Sequence, residues 1–290
     1  MTTRKLKVNV QSQEIGINIR EAGDGGPPVL MVHGIPTNAL LWRHVQAHMK
    51  DRYQTFAMDM IGYGESDMPL DRLDHTLSHQ AEAVKQVIEG LGVEGKVTLV
   101  AHDHGGGVAQ IVASRYPDHV HRLVLINPIS FDYWPVLEVE GLGGLKGAPD
   151  EVLSAAMAQA AGNFGILMRM GSYTKTPFYD KAVKENYLGF WARGPGLTGF
   201  KSLIAIAADP TNDETMAVDH ASITSPTMIL WAMADCFMPV EAAHRLKAAI
   251  AGPVRLEYIE RAGHWCQEDR PEHIADRIDD FITEWQKIEI

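Results

Sequence analysis

Short apolar runs recur along this chain: "VLMVH", "TFAMD", "KVTLVA" and "RLVLIN", with longer helical stretches between them. A run that is apolar at successive positions, not at alternate ones, belongs to a strand buried on both faces. Such strands need cover on both sides of a sheet. Helical patterns at Leu41 to Met49, Thr76 to Leu91 and Gly105 to Tyr116 supply it. Strand, helix, strand in repetition predicts an α/β fold: a mostly parallel central sheet with helices on both faces. "KLKVNV" and "IGINIR", joined by a polar turn, predict an antiparallel pair that makes the sheet mixed. "PTMILWA" and "VRLEYI" add two late strands, and a helix from Pro271 to Ile288 closes the chain. With 290 residues, 46% hydrophobic and 22% charged, the chain can fill such a core and still carry an insertion.

One region breaks the rhythm. From Phe131 to Ser222 no buried strand stands out, and Met, Ala, Gly and aromatics dominate. Helical patterns run through Glu151 to Met170, Pro177 to Trp191 and Leu197 to Ala207. The expected organisation is a core of residues 1–130 and 223–290 with a helical lid at 131–222. Such a lid would lie over the C-terminal edge of the sheet, where open α/β sheets bind ligands.

The formal net charge of −11 argues against nucleic acid or an anionic membrane as the main partner. No window approaches the roughly 20 apolar residues of a membrane span. "MTTRKLKVNV" lacks the apolar centre of a signal peptide, so a cytoplasmic protein is expected. Two cysteines, Cys236 and Cys266, are too few for a disulfide framework. Small buried side chains are the expectation for them. Neither C-x-x-C nor H-E-x-x-H occurs, and no metal or other cofactor is expected.

"LVAHDHGGGVAQ" places Asp103 between a strand and a helix, with Ala101 before it and Gly105, Gly106 and Gly107 after it. Small neighbours suit a nucleophile on a strained strand-to-helix turn. An aspartate helix cap in a plain loop is the bland reading. A His102–Asp103–His104 metal site is disfavoured, because successive side chains of an extended segment point to opposite faces.

The elbow reading gains from two later loops. "LWAMADCFMP" puts Asp235 after one late strand, and "YIERAGHWCQED" puts His264 after the next. The order nucleophile, acid, histidine fits an elbow on this architecture. "VLMVHGIPTNALLW" places a turn after a central strand, and the N–H groups of Ile35 and His104 are the expected oxyanion donors. In "AMDMIGYGESDMP", Asp59 and Ser66 are expected to hydrogen-bond backbone within the turn.

The stretches "HGIPTNALLWRHV", "DMIGYGESDMP", "HDHGGGVAQ" and "AGHWCQEDRPE" together resemble the α/β-hydrolase superfamily, and within it the branch with an aspartate nucleophile. The resemblance covers about Val29 to Pro128 and Pro226 to Phe281. It implies that Asp103 attacks an electrophilic carbon and forms an alkyl ester. His264, oriented by Asp235, would then activate water to hydrolyse that ester. Serine in this place would leave an ether on an alkyl carbon, whereas a carboxylate leaves a cleavable ester.

Epoxide hydrolases and haloalkane dehalogenases share this branch. Dehalogenases usually hold halide with a Trp after the nucleophile and an Asn in the H-G-N-P turn. Here those positions are His104 and Ile35, though Trp134 or Trp191 could substitute. Fluoroacetate dehalogenases carry arginines past the nucleophile, which "HGGGVAQ" lacks. "HGIP", with Pro36, matches the epoxide hydrolase pattern. That family uses lid tyrosines as acids, and of Tyr133, Tyr173, Tyr179 and Tyr187 we expect Tyr173 and Tyr187 to contact substrate, with Trp134 and Pro36. The expected activity is hydrolysis of a small apolar epoxide to a vicinal diol. A haloalkane dehalogenase is the alternative. A non-catalytic ligand-binding protein on this fold is a third reading, and such proteins tend to lose triad members.

Overall fold

The computed structural model of the chain describes residues 1–67, 76–174, 185, 187, 200, 201, 204 and 213–286. β1 (Thr2–Val10) and β2 (Gln13–Ala22) form the expected antiparallel pair. β3 (Pro28–Val32), β4 (Gln54–Met58), β5 (Val97–His102), β6 (Val120–Ile126), β7 (Thr227–Ala232) and β8 (Val254–Ile259) run parallel to one another. The sheet order is β1-β2-β4-β3-β5-β6-β7-β8, with β2 antiparallel to β4.

The continuous apolar runs are explained by the two faces they bury. Leu30, Val32, Leu99 and Leu123 point into one layer, against α2 (Leu77–Gly90) and α3 (Asp103–Arg115). Val29, Met31, Val100 and Val124 point into the other, against α1 (Arg43–Met49) and the last helix, Pro271–Gln286. That last helix buries Ile274, Ile278, Phe281 and Ile282, the spacing of one helical face.

After β3 the chain turns to one side of that strand to make β4, then crosses to the other side to make β5. The loops leaving β3 and β5 therefore diverge, and a crevice opens between their C-terminal ends. α3 starts at Asp103 itself, two residues earlier than the pattern predicts. It also packs very closely. A Cβ on Gly105 would lie 2.3 Å from the His33 carbonyl oxygen and 2.8 Å from that of Val32. Only glycine lets the helix rest on the end of β3 in this way.

Between β6 and β7 the described elements are α4 (Leu137–Glu140), α5 (Asp150–Gly171) and α6 (Asp213–Met216). α5 matches the first expected helix of the insertion within one residue at each end. The two later expected helices, with Tyr179 and Trp191, fall mostly outside the described residues. The Glu214 carboxylate of α6 accepts the N–H groups of Leu77 and Ser78, at 2.7 and 2.8 Å, and so caps α2. After β7 and β8 come α7 (Glu241–Ala249), α8 (Cys266–Asp269) and α9 (Pro271–Gln286).

Candidate active site

Asp103 sits at the junction of β5 and α3 with φ of +52°, a conformation a non-glycine residue rarely adopts. The strain is held by packing around it: the Asp103 carbonyl accepts the Ile129 N–H at 3.0 Å. The turn aims the side chain at the loop after β3. There the Ile35 N–H donates to Oδ1 at 2.8 Å, and the His104 N–H also holds the carboxylate. A Cβ on Gly34 would fall 2.3 Å from Oδ1, so the loop approaches this closely only with glycine.

His264 lies on the loop between β8 and α8. Its Nε2 is 3.6 Å from Asp103 Oδ2, and its Nδ1 is 2.8 Å from Asp235 Oδ2. Asp235 follows β7. Its Oδ1 accepts the N–H groups of Phe237 and Met238, at 2.8 and 3.1 Å. Its Oδ2 also accepts Asn127 Nδ2 at 2.7 Å. Asn127 is a residue the sequence reading missed. It ends β6, and its Oδ1 accepts the Ala232 N–H at 2.9 Å, so it ties Asp235 to the sheet edge. A polar residue closing the apolar run "RLVLIN" was the available signal.

The side chains of Asp103, Asp235 and His264 are buried, and charge sets their protonation. Burial alone would lower the His264 pKa. The carboxylates of Asp235 and Asp103 outweigh it and raise the value to about 10. Burial would raise the Asp103 pKa. The His264 imidazole and the His104 N–H outweigh that and hold it down at about 2. At neutral pH the two are an imidazolium and a carboxylate.

The neighbouring histidines behave differently. His102 Nε2 lies 2.9 Å from the His264 carbonyl oxygen, and burial with the adjacent imidazolium lowers its pKa to about 3. His104 is held at about 4 by burial and stands edge-on to Trp134, with ring centroids 5.8 Å apart. Its ring does not border the cavity. Among the described residues no group of three His, Cys, Asp or Glu side chains is arranged to hold a metal ion.

A cavity lined in part by Asp103 and His264 opens at this site. Ile35 and Pro36 line its core side. Trp134, Val136, Val139 and Leu167 of the insertion close the opposite side, and Phe237, Met238 and Trp265 flank His264. Apart from Asp103 and His264 the described walls are apolar, as in small-molecule pockets generally.

Neither Tyr173 nor Tyr187 borders this cavity. Tyr187 is buried, but its hydroxyl donates to Glu268 Oε1 at 2.8 Å and accepts from Arg43 at 3.1 Å. A buried phenol takes the charged partners within reach, and here these lie away from the cavity. Tyr173 is 50% exposed, and its backbone N–H is bound to Asp269. Trp134 and Pro36 border the cavity. Asp59 and Ser66 bond within the turn and beyond it: Asp59 accepts the N–H of Glu65 in the turn and the Ala39 N–H and Asn18 Nδ2 outside it, while Ser66 Oγ donates to the Asp59 carbonyl and accepts the Asn18 N–H. Neither cysteine is in a disulfide; Cys266 is buried, whereas Cys236 is exposed and not the small buried side chain expected.

Comparison with known proteins agrees with this architecture. A family profile described as alpha/beta hydrolase fold matches residues 27–271. The chain belongs to the α/β-hydrolase family. Among curated relatives, epoxide hydrolase 4 of Homo sapiens is 26% identical, over 96% of this chain and 78% of that protein. A thermophilic esterase from Thermogutta terrifontis has the same fold, with a TM-score of 0.77 and 20% identity over 97% of this chain and 98% of that one. The Cif epoxide hydrolase from Acinetobacter nosocomialis superposes with a TM-score of 0.79 at 16% identity, over 96% and 88% of the two chains. As a member of the α/β-hydrolase family the protein is an enzyme, and its class is hydrolase.

Proposed function

We propose that the protein is an epoxide hydrolase that works through an aspartyl ester. The observation that carries this reading is the seat of the Asp103 carboxylate. Oδ1 already lies on the Ile35 N–H, and Oδ2 is left on the side of His264 and the cavity. Oδ2 attacks a ring carbon of the epoxide, the C–O bond breaks, and Oδ1 becomes the carbonyl oxygen of the new ester. That oxygen is in place to carry the negative charge of the tetrahedral intermediate when water attacks Cγ.

The proton balance favours an epoxide. His264 begins as an imidazolium, and the opened oxygen needs a proton. Among the described residues bordering the cavity, His264 is the titratable donor. Once it has given its proton it is the neutral base that the second step requires. It then takes a proton from water as the ester is hydrolysed. Collapse of the intermediate expels the alkoxide, which takes the proton from His264 and leaves as the vicinal diol; the Asp103 carboxylic acid then passes its proton to His264, restoring the carboxylate and the imidazolium. Halide displacement consumes no proton and would leave His264 charged when a base is needed. A haloalkane dehalogenase is the second reading, supported by Trp134, whose indole borders the cavity near the nucleophile.

In this reading residues 131–222 are a lid, and the substrate is small and apolar. The site of action is cytoplasmic; among the described residues no helix is long and apolar enough to cross a membrane.

Single turnover in ¹⁸O-labelled water, with styrene oxide-type epoxides beside bromo- and chloroalkanes, tests the proposal. The expected result is diol from epoxides and ¹⁸O in the peptide containing Asp103. An unlabelled Asp103 with diol formed would remove the ester. Halide release without diol would favour the second reading, and no turnover of either class would favour a ligand-binding protein.

A further inference from the structure

Two carboxylates, Glu268 and Asp269, follow His264 on α8, and neither borders the cavity. Both are buried. We propose that Asp269 is a positioning residue for His264: it locks the end of α5 to the histidine loop, and that seam sets the imidazole in the pocket wall. The inference rests on the reading of His264 as the base of the second step.

The Asp269 carboxylate accepts five hydrogen bonds. Oδ2 takes the N–H of Gly263 at 2.9 Å and that of Tyr173 at 2.8 Å. Oδ1 takes Ser172 Oγ at 3.0 Å, and the N–H and Oγ1 of Thr174 at 2.8 Å each. One donor precedes His264 directly; the other four belong to the segment that leaves α5. A carboxylate satisfied this fully fixes both partners, because any shift would leave buried donors unpaired.

The seam also holds the imidazole through packing. A Cβ on Gly263 would lie 2.1 Å from the Gly171 carbonyl oxygen, so the two backbones touch. A Cβ on Gly171 would lie 2.3 Å from the Trp265 ring and 2.6 Å from the Phe237 ring. Those two rings stand edge-on to the His264 imidazole, with centroids 5.0 and 5.2 Å away. The end of α5 therefore presses on both aromatic rings that flank His264. Glu268 adds a second tie at the same place, through Arg43 of α1 and the Tyr187 hydroxyl. The pocket wall and the base are set by one pair of adjacent acidic residues.

The test is Asp269→Asn, which keeps the volume but puts an amide NH₂ where a carboxylate oxygen accepted donors. Amide exchange at Gly263, Tyr173 and Thr174 should speed up. The proton NMR signal of His264 Nδ1–H should broaden, a change that a loss of general stability alone would not produce. Ester hydrolysis should slow by about 10- to 100-fold, and alkylation of Asp103, in which His264 is the proton donor, should slow with it. Faster exchange at the three amides with an unchanged His264 signal and unchanged ester hydrolysis would overturn the proposal. If the variant does not fold, Ser172→Ala with Thr174→Val removes two hydroxyl donors and keeps the carboxylate. The His264 signal must then broaden in the same direction, and a signal identical to wild type overturns the idea. The NMR arm needs no substrate. A wild type that forms no ester would count against the proposed function and leave the positioning role to be decided by that signal.

Discussion

Asp103 and His264 face each other across 3.6 Å, and each sets the charge of the other. The His264 pKa is raised from 6.5 to about 10, so its contribution to stability is complete below 6.5 and lost as pH rises towards 10. The Asp103 pKa is lowered from 3.8 to about 2, so its contribution is present above 3.8 and lost as pH falls towards 2. Thermal melts of the wild type should therefore fall between pH 6.5 and 10, and His264→Gln should flatten part of that fall. Equal slopes in the two proteins would show that the pair does not carry the charge assigned to it. Tyr187 makes the opposite kind of prediction. Tyr187→Phe should cost about 1–3 kcal/mol in chemical denaturation, because Glu268 and Arg43 lose a buried partner. Turnover should persist, and its abolition would restore Tyr187 as the acid. The triad residues were legible because each ends an apolar run at a predictable loop. The fate of Tyr187 was not, since Arg43 and Glu268 lie 144 and 81 positions from it in the chain.

The strand-to-helix elbow is the element on which the site depends, and its glycines divide into two kinds. At Gly105 an added Cβ meets backbone carbonyls of β3 and the residue after it, which cannot yield. Gly105→Ala should lower stability by at least about 1–3 kcal/mol, measured by urea unfolding. At Gly34 an added Cβ meets the Asp103 side chain. Gly34→Ala should instead remove turnover with a smaller loss of stability, because the carboxylate is displaced from the Ile35 N–H. If both variants lost stability equally and Gly34→Ala kept its rate, the seat described for Asp103 would be wrong. The sequence pattern placed the glycine run next to Asp103. It did not show that α3 begins at Asp103, since that start requires φ of +52° to be tolerated by the surrounding packing.

On the scale of the whole molecule the pocket belongs to neither layer alone. The core contributes Asp103, His264 and Ile35, and the insertion contributes Trp134, Val139 and Leu167. Leu167→Ala should raise kcat/KM for bulky substrates relative to small ones, read by competition between two epoxides; an unchanged ratio would mean this wall does not select. By itself the sequence determined the sheet, its antiparallel opening pair and the loops that carry Ile35, Asp103, Asp235 and His264. Those follow from local patterns: apolar runs, turn residues, and the rule that loops after parallel strands meet at one edge. Only the tertiary structure decided which distant polar groups meet. Asn127 reached Asp235, Asp269 reached the end of α5, and Tyr187 turned to Glu268. A buried polar group bonds whatever the fold brings within about 3 Å, and residues far apart in the chain carry no local signal of that meeting.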